Sequence, residues 1–282
     1  MNAFKNLISQ LWKSPSGRIG LILVALFSLL ALGAPLLSPY DPIKQNLLLK
    51  SSPPSISHLF GTDLFGRDIL SRLLYGARVS MGIGLGSAFL AVFLGSAVGL
   101  SAGFLRGGID TFLMRIVDLL LGFPKFFILL LVVGLGSPSI WLTATVLGAL
   151  SWMEIARVVR GEVVLIREMN YVKAATALGL SPMNIAMRYV LPNVSGSIIV
   201  SATLLVGTMI LVEASLSYLG FGVQPPDASW GTIMNQGRID PLGTWWISAS
   251  AGLAIFLSLI GFNLLGDSLR DVLDPRTENS QS

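Results

Sequence analysis

The sequence contains no cysteine and only one histidine, His58, among its 282 residues. The missing cysteines exclude disulfide bonds and thiolate metal sites, and a single histidine excludes a site built from several histidines. No Gly-Lys dipeptide occurs, so the chain has no Walker A loop to hold the phosphates of a nucleotide. Only 12% of the residues are charged, whereas typical soluble domains carry about 25%. Together these absences favour a membrane protein without nucleotide chemistry of its own.

Hydrophobic residues make up 53% of the chain, and the mean hydropathy is +0.74. They gather in six stretches of about 20 residues, each long enough to cross a hydrocarbon core about 30 Å thick. The predicted spans are residues 19–40, 79–105, 113–135, 139–157, 194–212 and 242–266. The third and fourth come from one long apolar stretch, which we divide at residues 134–138 because Gly-Leu-Gly-Ser-Pro breaks a helix. The sequence therefore predicts an all-α membrane protein with six transmembrane helices.

Basic residues are distributed unevenly between the two sides that six spans define. With a cytosolic N-terminus, twelve lysines and arginines lie on the cytosolic side and six lie on the other. Cytosolic loops carry such an excess, so both termini and the loop at residues 157–190 are predicted to be cytosolic. Lys5, Lys13 and Arg18 precede the first span, as in a cleaved signal peptide. Its apolar run is longer than a usual signal, and we interpret it as a retained span.

The polar stretch between the fourth and fifth spans carries the signals of two short helices that meet at a bend. Asn170 is a candidate cap for the first helix, and Gly179 suits its C-terminal end, where a left-handed backbone is needed. Ser181 and Pro182 are typical of the cap and first residue of a second helix. The pattern predicts a compact knob with a nearly bare apex, suited to docking into a groove of a partner.

This stretch resembles the signature loop of permease subunits of ABC importers, which is Glu-Ala-Ala, three residues, Gly, nine residues, Ile, one residue and Leu-Pro. Five positions match in identity and spacing: Ala174, Ala175, Gly179, Leu191 and Pro192. Lys173 stands where the family has Glu, and Tyr189 stands where it has Ile. The resemblance implies a coupling helix that sits in a cleft of a cytosolic ATPase subunit. The alternative is an ordinary cytosolic helix-turn-helix between two spans.

Lys173 departs from the family pattern at the third position of the predicted helix. A carboxylate there would close a capping box onto Asn170, which a lysine cannot do. Two explanations stay open: the helix begins earlier, near Glu168, or Lys173 contacts an acidic group on the ATPase. The implied coupling residues are Lys173, Ala174, Ala175, Gly179, Leu191 and Pro192.

Further segments narrow the resemblance to one subfamily. Residues 61–68 and 71–78, residues 216–222 and the closing segment 266–276 are similar to the second, C-type permease of oligopeptide, dipeptide and nickel importers. The resemblance covers residues 14 to 276. It implies the type I importer fold, with residues 1–78 as an N-terminal part, 79–276 as the permease core and 277–282 as a tail.

The resemblance also implies the function and the partners. We expect a permease subunit that moves di- or oligopeptides across the bacterial cytoplasmic membrane, with nickel or another small solute as the alternative. The expected partners are a second, different permease, two ATPase subunits that bind the ATP, and an external solute-binding protein. No cofactor is expected in this chain. An intramembrane enzyme or an ion channel would need a catalytic cluster or a filter repeat, and neither is evident.

Glu213 lies near the outer end of the fifth predicted span, inside an otherwise apolar window. Carboxylates inside a membrane are costly and face a cavity or a partner. Two interpretations stay open, a pathway residue and a hydrogen-bonded structural acid.

Other charged residues suggest local ion pairs. Asp63, Arg67, Asp68 and Arg72 are interpreted as a surface network on an extracytoplasmic helix. Glu154 and Arg157 are three residues apart, which predicts an ion pair along one helix. Asp118 and Lys125 are predicted to share one face of the third span.

Small residues recur at every fourth position of the second span. They are Ser87, Ala91, Gly95, Gly99 and Gly103. Such a stripe lets helix backbones approach closely, so we predict a packing surface, either within the subunit or against the second permease.

Overall fold

The computed structural model describes residues 2–136 and 139–273, and α-helices account for most of both ranges. The helices are α1 Asn2–Lys13, α2 Pro15–Leu37, α3 Ile69–Leu105, α4 Gly107–Leu121, α5 Lys125–Leu135, α6 Ile140–Ala149, α7 Trp152–Arg167, α8 Asn170–Ala177, α9 Pro182–Ile185, α10 Leu191–Tyr218, α11 Trp230–Gly237 and α12 Trp245–Leu273. A 3₁₀ turn at Leu47–Leu49 and a π-helical segment at Ala186–Val190 complete these elements. The predicted tail, residues 277–282, lies outside the described residues.

Five continuous helical stretches are long and apolar enough to cross a membrane: Pro15–Leu37, Ile69–Leu105, Ile140–Arg167, Pro182–Tyr218 and Trp245–Leu273. The pair α4 and α5 passes the same test together but bends by 76°. Counting that pair as one span gives the six predicted.

The third span is not the straight helix that the sequence predicts over residues 113–135. It breaks between Leu121 and Lys125, where Pro124 has no amide hydrogen to continue the helical bonds. The other predicted break is confirmed, since α5 ends at Leu135 and α6 begins at Ile140.

Helix α3 packs closely against α7 along the predicted stripe of small residues. A Cβ atom added to Gly95, Gly99 or Gly103 would lie within 2.8 Å of backbone or side-chain atoms of α7. Ser87, the most N-terminal residue of the stripe, donates to the carbonyl of Ala144 on α6 at 3.0 Å. The stripe therefore packs within the subunit, and glycine is needed because any larger side chain would push α7 away.

Helix α1 is an element that the sequence analysis did not identify. Its Leu11 is buried against Val200 on α10 and Leu269 on α12. Helix α2 follows after the Ser14 cap and approaches α12 so closely that a Cβ on Gly20 would lie 2.6 Å from the amide nitrogen of Leu265. These contacts place the N-terminal segment beside the C-terminal helix.

The connection between α2 and α3 folds into a compact cap over the N-terminal end of α3. At its centre Asp63 accepts from Arg67 Nε at 2.7 Å and lies 3.6 Å from Arg72 Nε. We call Asp63, Arg67 and Arg72 the buried ion cluster, because each residue is at most 5% exposed. The interpretation of these residues as a surface network on a helix was wrong. Asp63 and Arg67 lie in a turn that precedes α3, and surrounding chain excludes water from them.

Neighbouring elements close over this cluster. The Gln236 amide of α11, oriented to satisfy both neighbours, donates to Asp63 Oδ2 at 3.2 Å and accepts from Arg67 at 3.0 Å. Trp246 of α12 donates to the carbonyl of Thr62 at 3.3 Å and is 8% exposed, so it packs against the connection and not against the surroundings of the protein. Asp68 caps α3 through Ser71 and binds His58 Nδ1 at 2.8 Å.

Candidate functional site: the coupling loop

The predicted knob is present between α7 and α10, and it begins with α8. Met169, not Asn170, is the cap residue of α8, so Lys173 is the fourth helical residue and not the third. The predicted capping by Asn170 is therefore wrong, and a carboxylate at position 173 would not complete a capping box. Ala175 is buried beside Val172, whereas Ala174 faces solvent.

Helix α8 ends as the sequence predicts. Gly179 has a φ of +77°, in the left-handed region that L-residues avoid. The amide of Gly179 donates to the carbonyl of Thr176 at 3.0 Å, and the amide of Leu180 donates to that of Ala175 at 3.3 Å. These two bonds form a Schellman motif, which satisfies the last carbonyls of α8 and turns the chain sharply.

The second helix of the knob is longer than predicted. Ser181 caps α9 and Pro182 opens it, as predicted, but the helix then continues through the π-helical segment into α10. Pro192 has no amide hydrogen to donate, and the next residue, Asn193, donates from its side-chain Nδ2 to the carbonyl of Tyr189 at 2.6 Å. Leu191 donates five residues back, to Ala186, as a π-helix requires. The predicted residues Leu191 and Pro192 thus lie where the knob joins the fifth span.

The apex of the knob is apolar, and none of the described residues covers it. Leu178 is 82% exposed, and Met183 and Met187 are also exposed. A Cβ on Gly179 would meet no atom within 4 Å. A bare turn flanked by flexible apolar side chains suits insertion into a groove, because methionine adapts its shape to the surface that it meets.

Lys173 has an ion-pair partner within the chain. Its Nζ lies 3.1 Å from Glu168, the residue just before the cap, and Glu168 also accepts from Arg106 at 2.5 Å. We call Arg106, Glu168 and Lys173 the exposed ion cluster. The hydrogen bond from Arg106, and then that from Lys173, hold the pKa of Glu168 below its ordinary value. Of the two explanations for Lys173, the earlier helix start agrees with the cap at Met169, next to Glu168. The contact of Lys173 with an acidic group on the ATPase stays a prediction.

The exposed ion cluster joins the knob to the turn between α3 and α4. Arg106 lies in that turn with a φ of +56°, and the next residue, Gly107, has a φ of +64°. Arg167, at the end of α7, donates to the carbonyl of Phe104 at the end of α3. Sequence reasoning missed the pairing of Glu168 with Arg106 because the two residues are 62 positions apart.

Ion pairs also connect α4 and α5 to α7. Asp110 accepts two bonds from Arg160, at 2.6 and 2.7 Å, and Asp118 pairs with Arg157 at 2.5 Å. The predicted pair between Glu154 and Arg157 is therefore wrong, since each finds a partner on a neighbouring helix.

Lys125 binds Glu154 at 3.5 Å. The predicted shared face of Lys125 and Asp118 is wrong too, because the 76° bend separates the two helices.

Glu213 is fully buried and accepts two hydrogen bonds. Ser80 of α3 donates at 2.8 Å, and Ser217, one turn further along α10, donates at 2.7 Å. Ser80 also accepts from the amide of Trp230 on α11 at 3.2 Å. These contacts tie three helices together, which favours the structural-acid interpretation over the pathway one.

Known proteins resemble the chain over most of its length. Residues 95–279 match the family model described as binding-protein-dependent transport system inner membrane component, and residues 3–54 match the N-terminal transmembrane domain of oligopeptide transport permease C. A putative peptide transport system permease protein of Brucella suis biovar 1 is 42% identical over 95% of this chain and 90% of its own. The oligopeptide transport system permease protein of Bacillus subtilis is 39% identical over 98% and 90%.

The fold has a solved counterpart. A chain of the MetNI methionine ABC transporter, in an inward-facing conformation, superimposes with a TM-score of 0.60 at 18% identity. The match covers 73% of this chain and 98% of that one.

Proposed function

Because this chain belongs to the family of inner membrane components of binding-protein-dependent transport systems, we propose that its substrates are di- or oligopeptides. The observation that carries the proposal is similarity over nearly the whole chain to proteins named as oligopeptide and dipeptide transport permeases. It includes the N-terminal domain that the family model assigns to oligopeptide permease C. The same relatives do not favour nickel as the solute.

The chain is a multi-pass permease of an ABC importer, a family that works with ATPases and other ABC components. In our proposal it pairs with a second, different permease and receives solute from an extracytoplasmic binding protein. ATP is bound and hydrolysed by two ATPase subunits, and this chain holds no cofactor. The exposed apolar apex around Gly179 supplies the surface that an ATPase groove would cover.

The knob is connected to the membrane spans by α7 on one side and by α10 on the other, and these two connections transmit its motion differently. Helix α7 packs against α3 along the glycine stripe, and its Arg160 pairs with Asp110 of α4, so α3, α4 and α7 move together. The connection to α10 contains the π-helical segment and Pro192. Fewer regular backbone hydrogen bonds resist bending there. Closure of the ATPases therefore tilts the spans unequally and alternates access to the pathway.

In this proposal both termini lie in the cytosol. Twelve lysines and arginines then lie on the cytosolic side of the membrane and six on the extracytoplasmic side, which is the bias that cytosolic loops show. The cysteine-free chain permits a direct test with single cysteines at Ser55 and at Ser280, which lies outside the described residues. In intact cells an impermeant thiol reagent should label Ser55→Cys and leave Ser280→Cys unlabelled. Labelling of Ser280→Cys would contradict the topology.

Peptide uptake and ATP hydrolysis by purified proteins in proteoliposomes test the function. This chain alone should do neither, and the complex with the second permease, the ATPases and the loaded binding protein should do both. Gly179→Val should insert normally but uncouple hydrolysis from uptake, because a β-branched residue is strained at a φ of +77° and thickens the apex.

Gly161→Val is the matched control for Gly179→Val. Gly161 also has open space around its Cβ position, but it lies within α7 without a positive φ. It should therefore leave coupling intact. A complex that hydrolyses ATP but takes up no peptide would reject the peptide assignment, and equal coupling in Gly179→Val and wild type would reject the role of the bend.

A further inference from the structure

A cavity of about 250 Å³ opens beside the bend between α4 and α5. Its walls are mostly apolar and include Leu121, Phe123 and Met153. Two charged residues of opposite sign, Lys125 on α5 and Glu154 on α7, also line it. The break at Pro124 forms the cavity, because α5 turns away from α4 by 76°.

The charged pair is partly exposed on the surface of this chain. Lys125 and Glu154 both belong to stretches that pass as membrane spans, yet their side chains are 27% and 56% exposed on this chain. Charged side chains inside a membrane face a water-filled cavity or another protein surface. The cavity therefore belongs to a surface that water or a second subunit covers.

The contact between the two charges is also loose. Their atoms are 3.5 Å apart, whereas tight charge-assisted bonds measure about 2.7–2.9 Å. Each group retains hydrogen-bonding capacity toward a third partner. A larger cavity of about 440 Å³ between α10, α11 and α12 has no charged residue in its lining, so it offers nothing comparable to a charged ligand.

We propose that the cavity at the bend is a subsite on the translocation pathway for the charged ends of a zwitterionic short peptide. Lys125 Nζ donates to the peptide carboxylate, and the Glu154 carboxylate accepts from the peptide ammonium. The apolar walls contact the peptide side chains. This inference rests on the proposed peptide import, and it adds the residues that meet the peptide inside the membrane.

Neutralising both charges separates a binding role from a structural one. If the pair is only structural, Lys125→Met, Glu154→Gln and the double variant should all stay close to wild type, because an ion pair this exposed contributes little to stability. If the pair binds peptide, the double variant should be the most impaired. We expect its uptake of radiolabelled Ala-Ala per ATP hydrolysed to fall about tenfold or more, since hydrogen bonds to charged groups are lost.

The measurement uses the complete complex in proteoliposomes with the loaded binding protein, and copurification of the subunits confirms assembly. The matched control is Asp118→Asn with Arg157→Met, an exposed pair between α4 and α7 that lies outside the cavity lining. Its uptake per ATP should stay within about twofold of wild type.

The outcomes distinguish this inference from the proposed function. Wild-type uptake of Ala-Ala with a double variant equal to wild type, or better than either single variant, would overturn the subsite alone. A wild-type complex that hydrolyses ATP and takes up no peptide would overturn both. Wild-type uptake with the lowest value in the double variant is the result we expect.

Discussion

Charged side chains gather at both ends of α3, and the two groups differ in how much water reaches them. The residues of the buried ion cluster, around the first turn, are at most 5% exposed. The side chains of the exposed ion cluster, around the last turn, are 41–60% exposed. Both clusters connect a loop to the same helix, which is about 55 Å long.

Burial decides what each cluster can do. Coulomb energies rise as water is removed, so a buried charge that loses its partner is strongly destabilising. Exposed pairs contribute at most about 1 kcal/mol, because water and salt screen them. The buried ion cluster therefore fixes the α2–α3 connection firmly on α3. The exposed ion cluster positions the knob beside the turn between α3 and α4 but resists its displacement only weakly.

The largest effect is expected from Asp63→Ala. It leaves Arg67 and Arg72 buried without their carboxylate, which should cost about 3–5 kcal/mol of unfolding free energy. Thermal unfolding of the purified protein in detergent measures the loss. Asp118→Ala removes the partner of the exposed Arg157 and should cost less than about 1 kcal/mol. Equal losses in the two variants would contradict the difference that burial makes.

A smaller loss is expected from Gly66→Ala. Gly66 has a φ of +71°, and an added Cβ would lie 1.8 Å from the carbonyl oxygen of Asn46. Backbone strain and the clash together should cost about 2–4 kcal/mol. Gly107, at the other end of α3, has a φ of +64° and open space around its Cβ position, so Gly107→Ala isolates the strain alone, at about 1–2 kcal/mol. The same unfolding assay should rank Gly66→Ala below Gly107→Ala in stability.

The smallest effect is expected from Lys173→Glu in the exposed ion cluster. The family pattern favours tolerance of this change, but the new carboxylate would lie beside Glu168 and repel it. Peptide uptake per ATP should fall by less than about threefold. Adding Glu168→Gln to the same chain should restore uptake, because the introduced carboxylate then meets a neutral amide. Loss that only a charge reversal on the ATPase repairs would show that Lys173 contacts the partner instead.

Local signals in the sequence predicted much of the fold and of the knob. Apolar stretches predicted the spans, and Gly134 to Pro138 predicted the break between α5 and α6. The bend at Gly179 and the start of α9 at Ser181 and Pro182 are also confirmed. Each of these features depends on residues that are neighbours in the chain.

Several features were missed or misjudged because distant residues decide them. The pairing of Glu154 with Lys125, and of Arg157 with Asp118, depends on how α7 packs against α4 and α5. Glu168 meets Arg106 only because α3 and α7 end side by side. The burial of Asp63 depends on Gln236, which follows it by 173 residues.

The sequence by itself determined that this chain carries stretches apolar enough to cross a membrane, that a break separates α5 from α6, and that a glycine turn forms the apex of the knob. Hydrophobicity, proline and the freedom of glycine act over a few residues, so a local pattern is enough to predict them. Only the tertiary structure decided which charges pair, which are buried and where the bent third span leaves a cavity. Electrostatic energy depends on distance and on the exclusion of water, and both are fixed only when remote helices pack together.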